Sequence, residues 1–332
     1  MYLQTVIIFI LVLILIYLIC TKRADPYKSP IPNVGSDDPS KLSIISYNIQ
    51  MRPVIDDLLY RCTGIHTHKT DIIANKLPKI LENFNTDIIV LSEAFSDKII
   101  GQIYHHIKNV GYKYHTCVLN ETVVNGNAET SRSFGIRKWI NGGIIVFSKY
   151  PIIDQKELCF QNSAFVDKYS AKGAQYLKID KLGKKYNIIA THMNASYDII
   201  RGQTAKMCKG KTARYKQIDE ISEFIDSINI PDTEPLIFAG DMNIDRYRDA
   251  DEYKNMIDVL NMTNPPNQGY IYTYDQIANT RTQMNQGNRL LDYILYSKKH
   301  KKPVRSSSTI NKLYYEGDVS DHYPVVGMFL FS

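Results

Sequence analysis

Six short polar stretches in this chain each close a run of Ile, Val, Leu or Phe: Ser46-Tyr47-Asn48, Ser92-Glu93-Ala94-Phe95, Thr191-His192, Gly240-Asp241-Met242-Asn243, Leu291-Asp292-Tyr293 and Ser320-Asp321-His322-Tyr323-Pro324. An amide, carboxylate or imidazole at such a place stands where a buried strand emerges and offers side chains to a cleft. Glu93, Asp241, Asp321 and Asn48 are hard oxygen ligands with no Cys or His-rich cluster nearby, so they suit Mg²⁺, Mn²⁺ or Ca²⁺ rather than Zn²⁺. His192 and His322 can move protons near neutral pH, and a carboxylate such as Asp292 could fix the tautomer of one of them. The amides of Asn48 and Asn243 donate hydrogen bonds without adding charge, which suits a phosphoryl group already neutralised by a metal. Together the residues read as metal-assisted hydrolysis of a phosphate ester.

The order and wording of these motifs resemble the endonuclease/exonuclease/phosphatase superfamily and, within it, the bacterial-type neutral sphingomyelinases (sphingomyelinase C). The resemblance covers roughly residues 41 to 332, and its subfamily wording is Tyr47-Asn48-Ile49-Gln50-Met51, Glu93-Ala94-Phe95, Gly142-Gly143 followed by Ser148-Lys149-Tyr150-Pro151-Ile152, and Asp321-His322-Tyr323-Pro324. It implies a metal site at Glu93 and Asn48, with Asp321 on the ion or its water shell, and Mg²⁺, or Mn²⁺ or Co²⁺, as the cofactor. His322 is then the general base, oriented by Asp292. Asp241 and Asn243 bind the phosphoryl group and the nucleophile side, and His192 stabilises the transition state or protonates the leaving alkoxide. The implied substrate is a phospholipid, sphingomyelin first among them, cleaved to ceramide and phosphocholine. An inositol-phosphate phosphatase and a nuclease share the same catalytic set, and a catalytically inactive membrane-bound adaptor is the reading from another class. A nucleic-acid partner is disfavoured by the apolar N-terminus and by a single Trp, Trp139.

To place those motifs, strands are expected at Leu42–Asn48, Asp87–Glu93, Gly143–Ser148, Gln175–Asp180, Tyr186–His192, Leu236–Asp241, Leu291–Tyr296 and Tyr323–Leu330. Helices are expected at Thr70–Phe84, Lys98–Val110, Thr212–Ile228 and Ala250–Leu260; in the third, Tyr215, Ile218, Ile221, Phe224, Ile225 and Ile228 recur at helical spacing. The fold implied by the resemblance is α/β, a four-layer α/β/β/α sandwich of two mixed sheets (deoxyribonuclease-I-like), with the motif residues at one edge. Bland readings suffice elsewhere. His66 and His68 sit in a polar loop with no carboxylate partner in view, and Gly210-Lys211-Thr212 fails as a phosphate loop because Ala205 stands where that motif needs glycine. Two departures from the subfamily stand out: the segment Asn311 to Val319 is short where bacterial relatives carry a long aromatic hairpin, and the stretches from Asn120 to Lys138 and Asn194 to Lys211 have no counterpart.

The N-terminus is a separate object. Tyr2 to Cys20 holds no charged residue and supplies the ~20 apolar residues that cross a bilayer, so residues 1–20 are expected to form one N-terminal transmembrane helix rather than a cleaved signal peptide. A tether rich in Pro and polar residues follows at 21–40, and 41–332 is expected to be a single catalytic domain. The 332-residue chain carries a formal net charge of +6, all of it beyond the apolar run, which suits phosphate groups or anionic surfaces. Lys22, Arg23 and Lys28 after the span favour a cytoplasmic domain by the positive-inside rule. A Cys159–Cys208 disulfide, which the resemblance suggests, points the other way, so the side of the membrane stays open.

Overall fold

The chain is described by a computed structural model over residues 28–29, 33–51, 69–120, 138, 140–196, 204–282, 287–313 and 318–332. Its first long strand, β1 (Lys41–Met51), shows how the sequence dictates the layering. Leu42 and Ile44 join one buried cluster while Ile45, Tyr47 and Ile49 join another, because successive side chains point to opposite faces. A strand buried on both faces must lie in the middle of a layered domain. The main elements that follow are α1 (Lys69–Phe84), β2 (Ile88–Ala94), α2 (Asp97–Ile107), β3 (Tyr114–His115), β4 (Ile145–Ser148), β5 (Ile152–Cys159), β6 (Gly173–Lys181), β7 (Lys184–His192), α3 (Thr204–Ile228), β8 (Leu236–Asp241), α4 (Ala250–Val259), β9 (Met262–Thr263), β10 (Asp292–Ser297), β11 (Arg305–Ile310) and β12 (Val325–Leu330).

Two six-stranded sheets result, in the orders β11-β12-β1-β2-β4-β3 and β9-β10-β8-β7-β6-β5. Both are mixed: β1 with β2 and β7 with β8 run parallel, and the other neighbours are antiparallel. Leu42, Ile44, Ile88 and Val90 of the first sheet share a cluster with Leu177, Ile179, Ile188 and Ile294 of the second, so the sheets pack face to face. Ile80 and Leu81 of α1 and Ile99, Ile103 and Ile107 of α2 cover the outer face of the first sheet. Ile218 and Ile221 of α3 and Met256 of α4 pack into the cluster of the second. This is a deoxyribonuclease-I-like α/β sandwich.

All eight expected strands and four expected helices are present, with shifted ends. α3 begins at Thr204, so Gly210-Lys211-Thr212 lies inside a helix and not in a phosphate loop. Four strands of these sheets escaped the sequence reading, β3, β5, β9 and β11, and all are sheet edges: β3 and β9 are two residues long, Ile152–Cys159 is half to fully exposed, and Arg305–Ile310 is mostly Ser and Thr. An edge strand lacks the second buried face that makes its neighbours legible. Among the described residues no helix is long and apolar enough to cross a membrane. The expected span of residues 2–20, His66, His68 and nearly all of the stretch from Asn120 to Lys138 lie outside the described residues.

The end opposite the motif residues is pinned by a buried charge pair. Lys181 Nζ donates to Asp87 Oδ2 at 2.8 Å and to the carbonyls of Ser36 and Lys41, and both side chains are almost wholly buried. Near α3, Arg214 makes two bonds to Glu252, 2.7 and 2.9 Å, and reaches back to the Asn194 carbonyl just beyond β7.

Candidate active site

The register of the second sheet sets three functional groups side by side. Asp292 at the start of β10 pairs with Asp241 at the end of β8, and Asp241 pairs with His192 at the end of β7. Facing them from the first sheet is Asn48, which lies on the inward face of β1 with Leu42, Ile44 and Ser46. Asn48 Nδ2 bridges the sheets, donating to Asp241 Oδ2 at 2.9 Å and to Glu93 Oε1 at 3.3 Å.

Glu93 reaches this position through its backbone. Strand alternation would aim it outward with Ile89 and Leu91, but its φ of 55° is left-handed and breaks the alternation. Gln50 (φ 50°) and Asn243 (φ 52°) are left-handed as well, so three non-glycine residues at this one edge hold a conformation that costs free energy. Before Asp241, Gly240 has φ of 146°, and a Cβ there would sit 1.8 Å from the Thr191 carbonyl oxygen. Only glycine lets β8 lie this close to β7 and bring Asp241 beside His192.

His322 follows a turn fixed by Ser320, whose hydroxyl donates to the Asn48 carbonyl at 2.6 Å and accepts from the His322 N–H at 3.2 Å. The His322 ring bonds Asp292 Oδ2 through Nδ1 at 2.7 Å, and the ring of Tyr274 stands edge-on against it at 5.6 Å. Thr273 Oγ1 accepts from the backbone N–H groups of Leu291 and Asp292, which fixes the start of β10. Asp321 accepts from Gln50 Nε2 at 2.5 Å. Asn243 donates through its backbone to Asp241 Oδ1 at 2.9 Å and through its side chain to the Met193 carbonyl at 3.0 Å.

The structure therefore brings together all eight residues singled out in the sequence: His322, Asp292, His192, Asp241, Asn243, Glu93, Asn48 and Asp321. Glu93 and Asn243 are partly exposed and the others are buried, so these two mark the mouth. Three contacts were missed. Gln50, within the Tyr47 to Met51 wording, holds Asp321. Tyr274 backs His322. Lys172, a buried lysine just before β6, places Nζ 3.1 Å from His192 Nε2 and 3.2 Å from Asp167 Oδ1. Its only sequence signal was a charge at the head of an apolar strand. Cys159 carries a free thiol that accepts from Lys138 Nζ at 3.4 Å, so the disulfide is not formed here; the Cys208 side chain lies outside the described residues.

Electrostatically the cleft is short of positive charge. Burial and the neighbouring Asp292 carboxylate push Asp241 up to about 7. Burial pulls His322 down, but Asp292, Asp241 and Asp321 outweigh it and hold its proton well above the ordinary imidazole value. His192 goes the other way: burial first, then the Lys172 ammonium, drive it well below that value, so it is neutral. Asp292 Oδ1 and Gln50 Oε1 are buried oxygens without a hydrogen-bond partner among the described residues. Four carboxylates, Glu93, Asp241, Asp292 and Asp321, converge here, and such an oxygen-rich, acidic donor set fits a hard divalent cation. Donor atoms of Asp241, Asp292 and His322 come within 4.8 Å of one another. Asp292 Oδ2 and His322 Nδ1 already bond each other, which leaves the carboxylate oxygens of Glu93 and Asp241, beside Asn48 Nδ2, as the better cation donors; Asn48 Oδ1 accepts from the Gln50 N–H at 3.0 Å.

The model of the Endonuclease/Exonuclease/phosphatase family matches residues 45–322 of this chain. A sphingomyelinase C of Listeria ivanovii is 30% identical over 311 residues, 88% of this chain and 88% of the relative. Among solved structures, sphingomyelinase C from Streptomyces griseocarneus superposes with a TM-score of 0.73 at 23% identity, covering 87% of this chain and 99% of that one. A variant of the beta toxin of Staphylococcus aureus with bound magnesium ions superposes with a TM-score of 0.70 at 26% identity, covering 86% and 99%. The chain belongs to the endonuclease/exonuclease/phosphatase family, and its relatives there are the bacterial sphingomyelinases C.

Proposed function

We propose that the chain is a divalent-metal-dependent phosphodiesterase that hydrolyses sphingomyelin to ceramide and phosphocholine. The observation that carries this reading is the facing of two groups across the sheets: the row Asp292, Asp241, His192 on one side, and Asn48 with Glu93 on the other, joined at 2.9 and 3.3 Å. Glu93 and Asn48 would hold a divalent cation, magnesium the expected species, and Asp321 would contact it directly or through water. When bound, the ion offsets the negative charge that develops on the phosphoryl oxygens.

The protein's own groups do the rest. Neutral His322 accepts the proton of the attacking water at Nε2, while Asp292 holds Nδ1–H and stabilises the imidazolium that forms. The water oxygen bonds to phosphorus, the bond from phosphorus to the ceramide oxygen breaks in line, that oxygen takes its proton from solvent water, and His322 returns its own proton to solvent. Asp241 and Asn243 position the phosphoryl group and the nucleophile. A neutral His192, kept so by burial beside Lys172, serves as a hydrogen-bonding group to the phosphoryl oxygens and not as a cationic acid. The acidic cluster that raises His322 would be offset by a divalent charge held in the cleft, which would favour the neutral imidazole that the base requires.

Residues 1–20 are assigned as a membrane anchor, 21–40 as a tether and 41–332 as the catalytic domain, which keeps the domain at a membrane. Incubating the full-length chain with a lipid panel, products resolved by mass with and without chelator, tests the function. Chelator-sensitive release of ceramide and phosphocholine is expected. Free inorganic phosphate from phosphoinositides, or nicked plasmid DNA, in place of those products refutes it.

A further inference from the structure

Large apolar side chains are exposed on three loops that carry or brace the catalytic residues. The loop before β6, which supplies Lys172 beside His192 and Asp167 to hold that lysine, presents Val166 at 62% exposure and Tyr169 at 48%. Phe165, just before Val166, is held left-handed at φ 55°, a conformation that costs free energy and shapes the tip. After Asn243, Tyr247 is 54% exposed. The loop that braces β10 through Thr273 and His322 through Tyr274 presents Ile271 at 46% and Ile277 at 87%.

These tips are tied to the site. Tyr247 packs edge-on against Tyr272 at 5.8 Å, Tyr272 against Tyr270 at 5.9 Å, the Tyr270 hydroxyl donates to Asp275, and Asp275 Oδ1 accepts from the Ile277 N–H at 2.9 Å. Arg246 and Arg248 flank Tyr247 at the surface, so this apolar tip stands between two cations, the second of which also pairs with Asp245 at 3.7 Å. Aromatic and aliphatic tips interspersed with arginine match the boundary between phosphate head groups and acyl chains, where apolar groups sink and guanidinium groups meet phosphate.

We propose that these loop tips form the surface by which the domain lies on a phospholipid bilayer, with Ile277 and Val166 entering the acyl boundary on either flank of the cleft. The proposal rests on the phospholipid reading of the site. It orients the cleft toward the lipid in which the scissile phosphodiester resides.

The test uses the full-length chain reconstituted into phosphatidylcholine–sphingomyelin vesicles that contain brominated phospholipid. Trp139 is the only tryptophan, so Ile277→Trp in a Trp139→Phe background reads one indole. The control is Leu182→Trp in the same background: Leu182 is 61% exposed at the hairpin between β6 and β7. That hairpin lies at the far end of nine-residue β7 from His192, about 30 Å away. Quenching at Ile277→Trp and none at Leu182→Trp is expected. In the otherwise native chain, Ile277→Asp and Val166→Asp are each expected to slow hydrolysis of vesicle sphingomyelin about tenfold while leaving a water-soluble choline phosphodiester unaffected. An unquenched indole at Ile277→Trp, or equal losses on both substrates, overturns the proposal. So does a dimer-to-monomer shift in sedimentation with vesicle activity unchanged, which would make the tips a contact between copies. Absence of hydrolysis of both substrates by the wild type overturns the phosphodiesterase reading and leaves the docking proposal to stand or fall on the quenching alone.

Discussion

Replacing Asp292 with asparagine isolates the proton-transfer step from metal binding and folding. Asp292 is 1% exposed, its backbone N–H stays bonded to Thr273 Oγ1, and an amide fills the same volume, so the start of β10 is undisturbed. What changes is the 2.7 Å bond to His322 Nδ1. If the amide oxygen accepts it, the negative charge that stabilised the imidazolium is gone. If the amide nitrogen donates, the ring proton moves to Nε2 and the base is blocked. Loss of the same orienting charge in hydrolytic triads costs about 10⁴ in kcat, so a fall on the order of 10³ to 10⁴ is expected, equivalent to about 4–5.5 kcal/mol of barrier. The assay is steady-state release of phosphocholine at saturating magnesium, paired with an NMR titration of His322 in the metal-free chain. His322 titrates well above the ordinary imidazole value in the wild type and falls toward it in Asp292→Asn. A raised histidine contributes stability that is full below its unfolded pKa and is lost as pH rises through its folded one, and the mutant loses this contribution. A kcat within tenfold of wild type refutes the role of Asp292, and an unmoved His322 titration refutes the electrostatic account.

Other expectations follow from the same geometry. Glu93→Gln lowers kcat by several orders of magnitude with the circular dichroism spectrum unchanged; more than a tenth of wild-type activity at saturating Mg²⁺ contradicts its place at the cation. His192→Ala slows substrates with alkoxide and p-nitrophenolate leaving groups to a similar extent, since a neutral imidazole bonds the phosphate rather than protonating the departing oxygen; a much larger loss on the alkoxide substrate shows it to be the acid after all. At the opposite end, Lys181→Met strands the buried Asp87 carboxylate and lowers stability in urea by about 3–5 kcal/mol while kcat is kept, whereas a loss under 1 kcal/mol refutes the pair's structural role.

What the sequence made legible was whatever is buried on a regular period. The paired central strands, the helical face of Ile218 and Ile221, and the polar residues at strand ends could all be read because each breaks or completes an apolar run. Glu93 was found by type and place, but its orientation depends on the left-handed φ of 55°, and no pattern in Ile88–Ala94 announces it. Lys172 was missed because its partners, Asp167, His192 and Met193, reach it from loops and a neighbouring strand. Gln50 lay within a quoted motif yet gained a role only when Ser320 to His322, 270 residues away, came beside it. The polar edge strands β5 and β11 carry too little apolar surface to signal themselves.

In the proposed reaction a water activated by His322 attacks the phosphorus of sphingomyelin, and a divalent cation is required. Hydrolysis by the full-length chain in ¹⁸O-labelled water, with product masses read with and without chelator, distinguishes this route from its alternatives. One ¹⁸O atom in phosphocholine and none in ceramide, with both products abolished by chelator, is the predicted result. Label in ceramide, or undiminished turnover in chelator, contradicts it.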